Sequence, residues 1–248
     1  RVTRLCLKGR FDRLQAGVGL QDMGWGQGWF YRPTDYFEPL GPLAFWREEP
    51  LGSESLDLSQ PLFDELVLEA AARATAGGGD WVVRLPNETL AYALTPSLAR
   101  LGGRMVLGLE ARLTLPVCQL RLEGARWDGG DSPLEMEAGL STRWDGSDLC
   151  LEWLRDATGE ALGEFSGAAP GADYLYFSWG RALGPAWRLE TRLVKSPDGG
   201  PFLLWPKAVM DFGTGWQFSL EGRTLVAWSA GPLARVGARL FTALAWEF

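Results

Sequence analysis

Residues 237–248, at the end of the sequence, read G-A-R-L-F-T-A-L-A-W-E-F. Alternate side chains of a β-strand point to opposite faces of its sheet. The even positions of this stretch are mostly apolar and end in Trp246 and Phe248, whereas the odd positions include Arg239 and Glu247. The stretch therefore predicts a strand with one apolar face and one charged face. Its two closing aromatics suit a strand of a membrane barrel, where aromatic side chains sit at the lipid–water interface.

The same alternation recurs along most of the chain and is clearest from residue 103 onward. Leu107, Leu109 and Leu113, for example, alternate with Glu110 and Arg112. Segments of this kind are about 9 to 11 residues long, which is the length of strands that cross a membrane at a tilt. The pattern predicts an all-β fold, an antiparallel transmembrane β-barrel of about 14 strands that takes up residues 1–248 as a single outer-membrane barrel.

Two regions leave the strand count open, within about 12 to 16 strands. Residues 80–103 contain a weaker alternation that Pro86 and Asn87 interrupt. Residues 63–76 are rich in Ala and Leu, so that a helix is a rival there. The alternation of the neighbouring segments favours a strand for residues 63–76.

The charges of the alternating segments predict which face is which. A soluble antiparallel β protein alternates equally well, but a barrel of this strand number is too wide for apolar side chains to fill. An arginine or lysine facing lipid costs about 2–4 kcal/mol at the bilayer midplane, whereas opposite charges on neighbouring strands stabilise each other across a wet lumen. We therefore predict apolar side chains toward lipid and charged side chains toward the lumen. The predicted lumen-lining residues are Arg104, Glu110, Arg112, Arg121, Glu123, Glu135, Glu137, Arg143, Arg188, Glu190, Arg192, Glu221, Arg223 and Arg239.

Composition excludes several classes of function. The chain has 31 acidic and 24 basic residues, which argues against a nucleic-acid partner. It has no histidine, so that neither a Ser-His-Asp triad nor a His-ligated metal is available. The three cysteines, at positions 6, 118 and 150, are too far apart for a CxxC site, although a single bridge such as 6–118 stays open. No apolar run approaches the ~20 residues of a membrane-spanning helix. No cofactor is expected.

Residues 23–50 form a long stretch without periodicity, dense in glycine, proline and aromatics. A loop of this length is uncommon unless it is functional or disordered. It either folds into or across the lumen as a constriction or plug, or acts as a structural latch that closes one barrel end. The residues of its motif are Trp25, Gly26, Gly28, Arg32, Pro33 and Asp35.

Two parts of the sequence resemble known outer-membrane proteins. The ending with Trp246 and Phe248 resembles the closing strand of Gram-negative outer-membrane barrels, whose terminal Phe and preceding aromatic are read by the assembly machinery. The succession V-G-L-Q, W-G-Q-G and P-T-D-Y-F-E-P within residues 14–39 is similar to that of porin-like and alginate-export-style barrels. Gln21 matches that pattern, whereas Leu20 stands where an arginine is common. The resemblance implies a barrel in the bacterial outer membrane, with the lipid bilayer and the assembly machinery as partners.

Two functions fit these predictions. The first is a porin-like channel for small polar or charged solutes. The second is a non-conducting barrel that serves as anchor or subunit of a cell-envelope assembly, with envelope-complex proteins as partners. An enzyme is not expected, because histidine is absent and no serine lies in a recognisable nucleophile motif. Near-equal numbers of Arg and Glu in the lumen argue against strong ion selectivity.

Overall fold

The computed structural model describes most of the chain. The described residues are 5–21, 23, 25–26, 32–37, 53–75, 78–129, 134–156, 172–195, 197, 202–212, 216–226 and 237–246, with backbone alone at 156, 172, 216, 223, 225–226 and 237–246.

Within these residues the chain forms β-strands that join into one sheet. The strands are β1 (Leu5–Phe11), β2 (Leu14–Gln21), β3 (Ser53–Pro61), β4 (Val67–Thr75), β5 (Gly78–Arg84), β6 (Asn87–Glu88), β7 (Tyr92–Leu101), β8 (Arg104–Thr114), β9 (Cys118–Trp127), β10 (Leu134–Trp144), β11 (Ser147–Asp156), β12 (Ala172–Ala182), β13 (Trp187–Lys195), β14 (Phe202–Asp211), β15 (Trp216–Val226) and β16 (Gly237–Trp246). Each strand lies beside its neighbour in sequence, except that β5 pairs with β7 and the short β6 adds to β7 alone. The predicted antiparallel all-β architecture is confirmed.

The main path of the sheet contains fifteen of the described strands, within the predicted range but one more than the central estimate. The extra strand comes from the region where the alternation was unclear. Residues 78–101 form two paired strands, β5 and β7; the chain continues past Pro86 through the short β6 and reverses at Thr89–Tyr92. Residues 67–75 form β4, so the strand prediction for the region that also suited a helix is confirmed.

Short turns fix the register of the hairpins. Asp12 and Asp145 have positive φ angles of 55° and 47°, and Gly146 follows Asp145 with φ of 70°. Asp and Gly tolerate this left-handed conformation better than other residues, and turns built from it match the twist of the flanking strands. Asp12-Arg13 and Asp145-Gly146 both form turns at hairpin ends.

Two compact units are present. One contains β1–β8 and residues Gln119–Ala138; the other contains Gly139–Leu154 and residues from Ala172 onward. In the first unit, burial alternates strictly along β7, from exposed Tyr92 to buried Leu101. We call the two sides of this sheet the buried face and the exposed face. The exposed face carries leucines such as Leu107 and Leu122, which are 62% and 58% exposed.

The buried face of the first unit combines small apolar residues with charged ones. Val82, Ala99, Val106 and Ala125 are fully buried and pack in one cluster. The aromatic residues of that cluster come from outside the strands and are Trp25, Tyr36 and Phe37. The sheet is therefore covered at this point by part of the long β2–β3 connection.

Two sequence-based questions are answered directly. Cys6, Cys118 and Cys150 are all free thiols, so the bridge that the sequence left open does not form. Within the described residues no helix is long and apolar enough to cross a membrane.

Candidate functional site: a segment packed on charged strands

Residues 32–37, which we call the inserted segment, begin with a tight turn. The backbone N–H of Asp35 donates to the carbonyl of Arg32 at 3.1 Å, and the two side chains form a weak ion pair at 3.9 Å. Pro33 occupies the second position of this turn, where its fixed φ angle is favourable. Gly26 has φ of 90° and lies against Arg32, because a Cβ there would come within 2.8 Å of the Arg32 Cβ. The predicted motif residues Gly26, Arg32 and Pro33 thus shape the segment.

Thr34 binds the carboxylate of Glu123, in the middle of β9. Its backbone N–H and its hydroxyl both donate to Glu123 Oε1, at 2.8 Å and 2.7 Å. Thr34 is fully buried and Glu123 is 3% exposed. Hydrogen bonds to a charged acceptor are stronger than neutral ones, above all when solvent is excluded.

Tyr36 binds β7, two strands away from β9. Its hydroxyl shares a hydrogen bond of 2.8 Å with the hydroxyl of Ser97 in β7. The ring end lies over Gly108 of β8, where any Cβ would collide with the hydroxyls of Tyr36 and Ser97. Burial raises the pKa of Tyr36 to about 12, because the phenolate would lose its hydration.

Phe37 is held by Arg73 of β4. Arg73 Nη1 donates to the Phe37 carbonyl at 3.0 Å, and its guanidinium lies 4.8 Å from the centre of the Phe37 ring. Asp80 orients the guanidinium through a salt bridge of 3.1 Å. The Phe37 ring also contacts Trp25, with ring centres 5.7 Å apart. These contacts fasten the aromatic end of the inserted segment to a charged pair of the sheet.

Arg84 is the central cation of the buried face. Its Nη2 lies 2.6 Å from Glu110 Oε1 and its Nη1 lies 3.1 Å from Glu69 Oε2. Its guanidinium also stacks 4.9 Å from the centre of the Trp25 ring. The side chains of Arg84 and Glu110 are 7% and 1% exposed. Arg84, Glu69 and Arg73 were missed as site residues from the sequence, although alternation in β4 places Glu69 and Arg73 on its charged face.

The predicted charged residues of the first unit differ in burial. Five of them are buried: Glu110, Arg121, Glu123, Glu135 and Glu137. Arg112 is half-buried and lies 3.8 Å from Glu88. Arg104, at the start of β8, is exposed and donates to the carbonyl of Asp128 while its guanidinium lies 5.3 Å from the Trp127 ring centre.

In the second unit the predicted residues form ion pairs that are more exposed to solvent. Arg143 binds Asp148 at 2.8 Å, and Arg188 reaches both Asp148 at 3.5 Å and Glu190 at 2.9 Å. Arg192 lies 3.5 Å from Glu190 and 4.4 Å from the centre of the Trp205 ring.

Several predicted residues cannot be placed in this way. Glu221 is half-buried on β15, whereas for Arg223, Arg239 and Trp246 the structure describes the backbone alone. Gly28, Phe248 and all of residues 38–50 lie outside the described residues.

A cavity of about 410 Å³ lies beside the inserted segment. The residues that line it include four acidic ones, Asp64, Glu65, Glu69 and Glu88, together with Arg84 and Trp25. Within the part of the chain that the structure describes, no group of three or more Cys, Asp or Glu side chains could hold a metal ion.

Comparison with known proteins gives a fold. No protein-family model matches the chain, and no curated protein matches it. Among solved structures, OccK10 (OpdN) of Pseudomonas aeruginosa is 14% identical with a TM-score of 0.70, over 98% of this chain and 82% of that one. OccK3 (OpdO) of the same organism is 17% identical with a TM-score of 0.61, over 96% and 79%. The outer membrane protein OprD of Pseudomonas aeruginosa is 12% identical with a TM-score of 0.66, over 97% and 76%. The chain has the antiparallel β-barrel fold of these proteins.

Proposed function

We propose that this chain is a porin-like β-barrel of the bacterial outer membrane that passes small polar or charged solutes. The observation that carries the proposal is the opposite chemistry of the two faces in a barrel fold. Leu107, Leu109 and Leu122 are at least half exposed on one face, while Glu110 and Glu123 are buried on the other. Exposing leucine side chains to water costs about 25 cal/mol per Å², a cost that contact with lipid removes.

The charged residues are proposed to line the passage. Turned toward lipid, charges such as Arg121 or Glu137 would each be costly near the bilayer centre, with arginine at about 2–4 kcal/mol. Turned toward a lumen, they can pair with neighbours on adjacent strands and meet passing solutes. The residues named from the sequence belong to this lining, and we add Glu69, Arg73 and Arg84.

The inserted segment is proposed to narrow the passage. Its partners Ser97, Gly108 and Glu123 lie near the middle of β7, β8 and β9. A latch that only closed one end of the barrel would contact strand ends. The position of these partners therefore supports a constriction within residues 23–50 over a terminal latch. We also propose that this motif is related to that of alginate-export-style barrels.

Planar-bilayer recording of the purified, folded protein tests channel function. We expect discrete conductance steps in potassium chloride solution. A folded barrel that inserts but stays silent would contradict the channel and support the second function, a non-conducting anchor or subunit of an envelope assembly.

Deletion of residues 26–38 tests the constriction, and we expect it to raise the single-channel conductance. The double variant Thr34→Val/Tyr36→Phe serves where the deletion fails to fold, since it removes only the two hydroxyl contacts. We expect it to give noisier and larger steps than the parent. Unchanged conductance in folded versions of both would contradict a constriction.

The membrane location is proposed together with two partners, the lipid bilayer and the outer-membrane assembly machinery; a nucleic acid and a catalytic role are not part of the proposal. Trp246 and Phe248 are the proposed assembly signal. Deleting Phe248 should lower the amount of heat-modifiable, folded protein in the outer membrane. A normal amount of folded protein would contradict the signal.

A further inference from the structure

The exposed face of the first unit is almost free of charge. In β1–β5 and β7–β9, its described positions are occupied mainly by Leu, Val, Ala, Gly and aromatic residues. The charged positions among them are Glu54, Arg100 and Arg126. All three lie toward the same end of the sheet, the end that contains the turn at Gly102-Gly103.

Arg100 and Arg126 flank a single strand. Arg100 of β7 lies opposite Met105 of β8, and Arg126 of β9 lies opposite Leu107 of β8. Two strand spacings sideways and one two-residue step along the strand separate them by about 12 Å between Cα atoms. The surface between the two arginines is apolar. On the side of Arg100 away from β8, Trp81 of β5 is its paired residue.

Neither guanidinium has a protein partner among the residues that the structure describes. The neighbouring Arg104 provides a contrast, because it faces the other way and donates to the carbonyl of Asp128. The Asp128 carboxylate in turn accepts the backbone N–H of Met105 at 2.8 Å. Two exposed cations are thus left at the edge of an apolar surface.

Such a pair is unfavourable in hydrocarbon and favourable at an anionic interface. The cost of an arginine on the lipid face falls toward zero near the membrane surface, and its long stem lets the charge reach the headgroups. A guanidinium matches the geometry of phosphate oxygens and can bind them with two parallel hydrogen bonds. An indole such as that of Trp81 prefers the same interfacial layer.

We propose that Arg100 and Arg126, with Trp81 beside them, bind the phosphate groups of a phosphorylated lipid in the leaflet at this end of the sheet. The proposal rests on the proposed membrane barrel and adds a specific lipid site to it. The apolar side chains of Met105 and Leu107 contact the acyl chains, while the two guanidiniums bind phosphate at the headgroup level. The spacing of the arginines suits either one headgroup with two phosphates or two neighbouring lipids.

Native mass spectrometry of the folded full chain in detergent tests the site, with dipalmitoyl phosphatidic acid and dipalmitoyl phosphatidylcholine as probes. The parent protein should retain phosphatidic acid in preference to phosphatidylcholine. The double variant Arg100→Gln/Arg126→Gln should bind the first phosphatidic acid about tenfold more weakly, since each arginine contributes a few-fold to anionic-lipid affinity. Arg10→Gln is the matched control and should bind phosphatidic acid as the parent does. Arg10 is also exposed, but it lies beside the turn of the β1–β2 hairpin, at the other end of the sheet, and its side chain is on the other face.

Three results of the lipid-binding measurement would overturn the proposal. They are equal retention of the two lipids by the parent, unchanged phosphatidic acid affinity in the double variant, and displacement of the lipid by equimolar inorganic phosphate, which would identify a free-phosphate site. A change of oligomeric state in the double variant without a change in lipid affinity would also overturn it, in favour of a contact between copies. Vesicle insertion and conductance are measured on the same proteins. Normal insertion without lipid preference counts against this site alone, whereas failure to insert counts against the barrel function.

Discussion

The two units carry similar ion pairs in very different surroundings. In the first, Arg84 and Glu110 are 2.6 Å apart and their side chains are 7% and 1% exposed. In the second, Arg188 and Glu190 are 2.9 Å apart and their side chains are 51% and 21% exposed. Both pairs arise from the same alternation of charged and apolar residues. What differs is that Trp25 stacks on Arg84, next to the inserted segment, and excludes solvent from the first pair.

This difference shows that strand alternation sets the face of a charge but not its energy. A buried ion pair is strongly destabilising when broken, because one charge is left without compensation. A pair in contact with solvent is screened, and its partners are readily replaced by water. The inserted segment therefore acts on this pair through Trp25, which packs on Phe37 and stacks on Arg84.

The sharpest test of the comparison is to break each pair in the same way. Arg84→Gln leaves Glu110 and Glu69 without their cation, and we expect the free energy of unfolding to fall by about 3–5 kcal/mol. Arg188→Gln is the matched change in the second unit and should cost about 0–1 kcal/mol. Urea unfolding of protein folded into phosphatidylcholine vesicles measures both. Similar losses in the two variants would mean that the inserted segment does not alter the coupling.

A second test adds one methyl group beneath the inserted segment. In Gly108→Ala the new Cβ collides with the hydroxyls of Tyr36 and Ser97, and overpacking of this kind costs about 1–3 kcal/mol. Gly124→Ala is the control, because its Cβ would meet its nearest neighbour at an ordinary 3.5 Å. The same urea titration should leave the Gly124 variant close to the parent. Equal stability of the two variants would argue against close packing of Tyr36 on β8.

The fold and the division of apolar and charged side chains between the two faces of the sheet could be predicted from the sequence because both follow from a local rule. The alternation of Leu107 and Leu109 with Glu110 and Arg112 lies within one strand, so it can be recognised without knowledge of any distant residue. The same rule failed where strands are short and interrupted. Arg84 ends the seven-residue β5 just before Leu85 and Pro86, so that its face could not be read in isolation.

The contacts of the inserted segment could not be predicted for a different reason. Thr34 and Glu123 are 89 positions apart, and Tyr36 and Ser97 are 61 apart. No periodicity links an irregular segment to a strand at such a distance. The sequence showed only that a stretch rich in Gly, Pro and aromatics needs a surface to pack on. Similarly, alternation alone does not reveal why Arg104 and Arg143 are exposed while Glu110 and Glu137, on the same faces of the same two strands, are buried.

A third test uses pH to probe the burial of Tyr36. Because burial raises its pKa from 10.0 to about 12, the folded state retains the phenolic proton at a pH where the unfolded state loses it. The stability tied to this group is complete below pH 10 and is lost as the pH rises toward about 12, with about 2 kcal/mol gone by about pH 11.5. The parent should therefore lose more stability than Tyr36→Phe between about pH 9 and pH 11.5. Parallel pH profiles would place the hydroxyl in contact with solvent.

The smallest expected effect isolates the hydroxyl contact itself. Ser97→Ala removes the partner of Tyr36 without adding bulk, and a single buried hydrogen bond contributes about 1 kcal/mol. Ser219→Ala, on the half-buried β15 of the second unit, makes the same chemical change away from the inserted segment and should alter the stability by less than about 0.5 kcal/mol. If Tyr36 is fastened mainly by this bond, combining Ser97→Ala with Tyr36→Phe should cost no more than Tyr36→Phe alone. Fully additive losses in the double variant would instead show that Ser97 stabilises β7 independently of the segment, and that the aromatic packing of Trp25 and Phe37 holds the segment in place.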